Sequence, residues 1–180
     1  MPNLNELDIE DKLKLVGLLQ EKKQRTKYNF FTSAFPDEGP LSRDKYPKHV
    51  AFFNAGRSFK ERAFIAGNRS GKTFAAAYET ALHCTGRYPH WWAGKRFDKP
   101  ISAWVCSVSN NSTRDIIQEE LLGGVTSELG TRMIPLECIA DIKIKPGVPG
   151  AVEIAKIRHV SGGLSVICFK SYDQKQKAFQ

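Results

Sequence analysis

The stretch Glu61-Arg62-Ala63-Phe64-Ile65-Ala66-Gly67-Asn68-Arg69-Ser70-Gly71-Lys72-Thr73 decides how this chain is read. Ala63 to Ala66 is a short apolar run of strand-like texture, Gly67 to Gly71 is a polar turn bounded by glycines, and strong helix formers follow from Lys72 to Cys84. The order is strand, turn, helix. Ala66 to Thr73 also fits the G-x-x-x-x-G-K-[ST] pattern of a phosphate loop, with alanine at the first glycine and Gly67 beside it to supply the turn. Each residue type has a physical reason to be there. Gly71 lets the backbone approach an anion closely, the amides of Gly67, Asn68, Arg69 and Ser70 and the helix N-terminus face it, Lys72 reaches the β and γ phosphates of ATP, and the Thr73 hydroxyl ligates Mg2+. Arg69 reads either as a stabiliser of the γ phosphate acting with Lys72 or as a solvent-facing arginine at a loop tip. A tight turn with an incidental lysine is the plainer alternative, and the strand-to-helix setting weighs against it.

Downstream, Gly86 and Pro89 stop the helix, and Ile101 to Val108 is a second β-rich run. Ser112, with Asp115 three residues on, predicts a capped helix carrying Ile116, Ile117, Leu121 and Leu122 and ended by Gly123 and Gly124. This β-α-β-α order predicts an α/β fold with a mostly parallel sheet flanked by helices. Val152 to Val160 and Leu164 to Phe169, separated by Ser161-Gly162-Gly163, predict an antiparallel hairpin added to that sheet. From Asp173 the sequence reads as the start of a helix and ends without a stop signal, so the fold is expected to be incomplete at its C-terminus.

Upstream, Leu4 to Gln24 predicts an amphipathic helix capped by Asn5, with Leu13, Val16 and Leu19 on its stripe. Residues 25–60 read as an irregular connector with a short helix around His49 to Asn54. The predicted organisation is therefore a lead-in over 1–60 and a phosphate-loop domain over 61–180.

Composition allows a buried core, since 41% of residues are hydrophobic. No apolar run of about 18 residues and no basic-then-apolar leader is present, so neither a membrane span nor secretion is predicted and a cytoplasmic protein is expected. Cys84, Cys106, Cys138 and Cys168 are too widely spaced for a zinc site or a disulfide framework, and His49, His83, His90 and His159 have no ligand partners at metal spacing. Lysine and arginine number 27 against 19 acids, a net charge of +8 that suits a polyanion but does not by itself select one. Trp91 and Trp92 beside Lys95 and Arg96 read as a core anchor more readily than as a DNA surface. An apolar strand ending in an acid, which ATP hydrolysis requires, is not found: Glu137, Asp141 and the Val166 to Phe169 run each read as ordinary surface positions.

Several further stretches carry a family resemblance: Phe53-Asn54-Ala55-Gly56, Glu61 to Asn68 running into Gly71-Lys72-Thr73, Thr85-Gly86-Arg87-Tyr88-Pro89, Gly94-Lys95-Arg96-Phe97, and Lys170-Ser171-Tyr172 with Phe179-Gln180. Together they resemble the large terminase subunit of tailed bacteriophages, of the short-tailed, headful-packaging type. The resemblance implies a P-loop NTPase fold and an ATPase that pumps double-stranded DNA into a procapsid in the bacterial host cell. It implies portal protein and small terminase subunit as partners, a homo-oligomeric ring, and a separate nuclease domain absent here. It also implies that the acidic strand of the ATPase follows the segment resembling Ser171 to Gln180, that the loop arginine of many relatives falls where this chain has Asn68, and that Tyr46 to His49 with Arg62 lie on the adenine side. Two other readings stay open at this point. One is a truncated prophage remnant acting at most as an interaction module, and the other is the front half of a helicase-like DNA-dependent ATPase.

Overall fold

The computed structural model describes residues 8–173, without the side chains of 24–28. Helix α1 (Ile9–Tyr28) is capped by Asp8, whose side chain accepts a hydrogen bond from the Asp11 amide at 2.8 Å. The expected cap Asn5, Leu4, and all but the first residue of the helix expected from Asp173 lie outside the described residues. The apolar stripe forms as predicted but faces outward: Ile9, Leu13, Val16 and Leu19 are all exposed. No helix among the described residues is long and apolar enough to cross a membrane.

The stretch read as a connector is better packed than its sequence suggests. A single turn, α2 (Phe30–Ser33), buries Phe31, and α3 (Pro47–Ala55) starts on a proline whose fixed φ suits the first helical turn. Phe53 on α3 is fully buried, with rings of Phe35 at 5.3 Å and Trp92 at 5.1 Å. Phe31, Phe35, Phe53, Trp91 and Trp92 gather around Tyr78 of α4 (Lys72–Thr85), so the lead-in and the glycine-loop helix share one aromatic core. Gly86 in the left-handed conformation ends α4, as the sequence predicts.

Four strands form one sheet in the order β1-β4-β3-β2. Strand β1 (Ser102–Ser107) pairs in parallel with β4 (Leu164–Ser171), Ser102 opposite Val166. Between them in the chain lie α5 (Asn110–Ser112), a π-helical turn over Thr113–Gln118 and α6 (Glu119–Leu121), one continuous helical path. Its cap is Ser109, which accepts from the Ser112 amide at 3.1 Å, and not Ser112 as expected. The Thr113 hydroxyl sits 2.9 Å from Ser109 O and 3.0 Å from Lys170 O, tying the widened turn to β4.

Three expectations are corrected. The sheet is mixed and not mostly parallel, because β3 (Val152–Arg158) runs antiparallel to both β4 and β2 (Ile139–Ile144). The hairpin is not an addition to the sheet but its centre, with Ile157 and Ile167 fully buried. The apolar run before the glycine loop forms no strand: residues 61–67 lie outside the ladder, and Ile65 is 92% exposed. No strand among the described residues pairs with it, so its backbone groups have no ladder to join.

Candidate functional site

The loop over 66–73 is shaped by two left-handed residues, Arg69 at φ 58° and Gly71 at φ 78°. Gly71 has a second constraint, since a Cβ there would lie 3.2 Å from His49 Nε2. The same nitrogen is 3.0 Å from the Ser70 carbonyl, so a hydrogen on Nε2 ties the loop to α3. The Ser70 hydroxyl donates to Gly67 O at 2.8 Å and tightens the turn. Lys72, the first residue of α4, curls back into the loop and donates to Ala66 O at 2.8 Å and Gly67 O at 2.6 Å.

This arrangement concentrates positive potential in a small volume. The lysine ammonium is held by neutral carbonyls, and the first-turn amides of α4 have no partner within their helix. An anion at the loop mouth therefore meets a cation, helix-end amides and the exposed Thr73 hydroxyl together. The donor set fits a phosphate chain with a divalent metal: Lys72 can exchange a carbonyl for a phosphate oxygen, and Thr73 offers a hard oxygen ligand.

Two cavities flank the loop. The first, about 320 Å³, is lined by Phe35, Leu41, Tyr46, His49 and Phe74 together with Arg69, Ser70 and Gly71. Its aromatic walls are braced edge to face, Phe35 against Tyr46 at 6.2 Å and His49 against Phe64 at 5.0 Å. The second, about 590 Å³, runs from Lys72, Thr73 and Phe64 along α4 to Trp104, Cys106 and Ser107 of β1. Arg69 thus stands on the aromatic side of the loop, and Lys72 and Thr73 open on the other.

The structure brings Tyr46 and His49 to the first cavity but not Arg62. The Arg62 guanidinium donates to Phe52 O at 2.7 Å and to Glu79 Oε1 at 3.0 Å, and stacks over Phe52 at 4.5 Å. It is a strut between α3 and α4. Phe35, Leu41 and Phe74 were missed in the sequence; the one signal that could have found them is the density of aromatics in an otherwise polar stretch. Trp91 and Trp92 are the core anchor: Trp92 is buried with its indole donating to Lys95 O at 2.9 Å, and Trp91 stacks on Tyr78. Glu137 pairs with Arg87 at 2.8 Å at the turn leading into β2, and Asp141 pairs with Lys156 at 2.9 Å on that outer strand, at the sheet edge opposite β1. Among the described residues no group of three or more His, Cys, Asp or Glu side chains forms a metal cluster.

Fold and site together define an α/β protein whose lysine-centred glycine loop heads a helix beside an aromatic cavity. Residues 63–180 match the family model described as terminase large subunit, T4likevirus-type, N-terminal. The chain belongs to the terminase large subunit family. It is 31% identical over 196 aligned residues to the terminase, large subunit, of Salmonella phage P22, an alignment covering 98% of this chain and 38% of that protein. No solved structure matches. The resemblance read from the sequence is thereby borne out at the level of the family.

Proposed function

We propose that this chain is the ATP-binding front of a viral DNA-packaging motor. The observation that carries the reading is the Lys72 ammonium held between the Ala66 and Gly67 carbonyls at the head of α4. In this reading Lys72 binds the β and γ phosphates, the amides from Gly67 to Gly71 cradle them, and Thr73 ligates Mg2+. The base enters the cavity of Phe35, Tyr46, His49 and Phe74, and Arg69 meets the nucleotide from that side. Bound ATP and Mg2+ would supply the phosphoryl-transfer chemistry. What the chain itself contributes is positioning: His49 holds the Ser70 carbonyl, and Arg62 fixes α3 against α4.

The chain spans 38% of the P22 relative, so the coupling of ATP to DNA movement is proposed for the longer protein. There the partners are double-stranded DNA, the portal protein, the small terminase subunit and copies of the same chain in a ring, at the procapsid in the bacterial cell. The outward stripe of α1 favours a contact role for that helix with one of the protein partners. Neither cavity at the loop is lined by a carboxylate among the described residues, so turnover by this chain alone is expected to be feeble.

Titration of the purified chain with a fluorescent ATP analogue tests the reading. Binding should require Mg2+ for full affinity and fall at least about tenfold in Lys72→Ala, equivalent to about 1.4 kcal/mol. Equal affinity of the variant and the unaltered chain would remove the assignment.

A further inference from the structure

A third cavity, a basic cleft of about 510 Å³, opens away from the loop. It touches α4 only at His83, eleven residues from Lys72, or about 16 Å along the helix axis. One wall is the turn 56–60 that follows α3, and the other is the loop 95–97.

The cleft is built, not merely open. A Cβ at Gly94 would lie 2.5 Å from Phe53 O, so glycine alone lets this loop press against the end of α3. The Trp92 indole holds Lys95 O, and the Tyr88 hydroxyl accepts from the Phe97 amide at 2.8 Å. Arg62, in the floor, is neutralised by Glu79. At the mouth, Arg57, Lys60 and Lys95 form no ion pair among the described residues, and the neighbouring Glu61 and Asp98 do not line the cleft. Between Arg57 and Lys60 stands Phe59, 64% exposed.

Uncompensated cations would suit any polyanion, but an exposed aromatic ring set among them suits one whose units carry flat faces. We propose that this cleft holds a single nucleic-acid strand, its phosphates against Arg57, Lys60 and Lys95 and a base against Phe59. The proposal rests on the reading of the chain as part of a motor that handles DNA, and does not need nucleotide at the glycine loop.

Fluorescence anisotropy without nucleotide tests it, using the whole chain and a labelled single-stranded oligonucleotide of about 20 nucleotides. Lys60→Gln with Lys95→Gln should weaken binding about tenfold and lower the slope of log affinity against log salt by about 1 to 2. Phe59→Ala should weaken it at least about fivefold while leaving a duplex of the same sequence unaffected. Lys143→Gln with Lys156→Gln, the same charge loss on β2 and β3, should leave binding unchanged. The proposal is overturned if the unaltered chain does not bind, if the cleft variants bind as it does, or if the control pair loses as much. Displacement by poly-glutamate as readily as by unlabelled strand would mark a general polyanion surface and overturn it too. ATP-analogue binding, measured separately on the same proteins, stays intact in the cleft variants and falls only in Lys72→Ala, so either reading can fail without the other.

Discussion

Arg62 does several jobs with one guanidinium. It satisfies a carbonyl at the end of α3, neutralises Glu79 on α4, whose side chain is only 7% exposed, and packs over Phe52. Removing it leaves the buried carboxylate with only the His83 Nε2, 3.4 Å away, and that penalty outweighs the modest net value of the pair itself. Arg62→Ala is expected to cost about 3 kcal/mol, read as a lowered urea midpoint with an unchanged slope. The same substitution should weaken ATP-analogue binding less than Lys72→Ala does, since Arg62 acts on the loop only through the helices. The start of α4 was legible because its signals are local: Gly71 takes the left-handed conformation and the helix formers begin at Lys72, although the strand expected before the loop does not form. Arg62 was not, because its partners Phe52 and Glu79 are ten and seventeen residues away and no spacing rule links them.

At the scale of elements, the run Ala63 to Ala66 has the composition of a strand but no neighbour to pair with among the described residues. Strand formation is a property of pairs, so propensity alone left it extended and open. Its amides should exchange with deuterated water within seconds, while those at the centre of β4, bonded on both sides, should be protected by orders of magnitude more. Comparable protection in both segments would show that 63–66 is paired after all. Helix α4 and the β3–β4 hairpin were legible because their signals, Gly71 and Gly86 at the helix ends and Ser161-Gly162-Gly163 at the turn, are short-range. Strand β2 was not: Asp141 and Lys143 interrupt its isoleucines, and an outer strand needs only one packed face. Strand direction was misread for a related reason. Alternating β and α texture says which segments are elements, but the partner of β1 is chosen by tertiary packing.

For the molecule as a whole, Glu119 is a source of acid sensitivity. Burial alone would raise the Glu119 carboxyl, but hydrogen bonds from Ser127, from the Thr126 amide and hydroxyl and from the Val125 amide outweigh it and hold the group at about 2, against an ordinary 4.5. A depressed value stabilises the fold above the unfolded group's range and loses that contribution as pH falls from about 4.5 through about 2. Glu119→Gln should therefore cost about 2 to 3 kcal/mol at neutral pH and flatten the stability slope below pH 5, measured by urea denaturation across that range. The pairing of β1 with β4 reaches further, into how the chain comes into being. Ser102 and Val166 are 64 positions apart, so at about 5–20 residues per second a ribosome makes β1 roughly 3–13 s before its partner exists. Aromatic packing of the lead-in on α4 can be complete within that interval, whereas β1 must wait for its ladder as the hairpin is synthesised. Vectorial synthesis thus separates the chain in time into an early half and a late half that recruits β1 backwards, leaving a window in which a chaperone or a second copy of the chain can compete for the waiting strand.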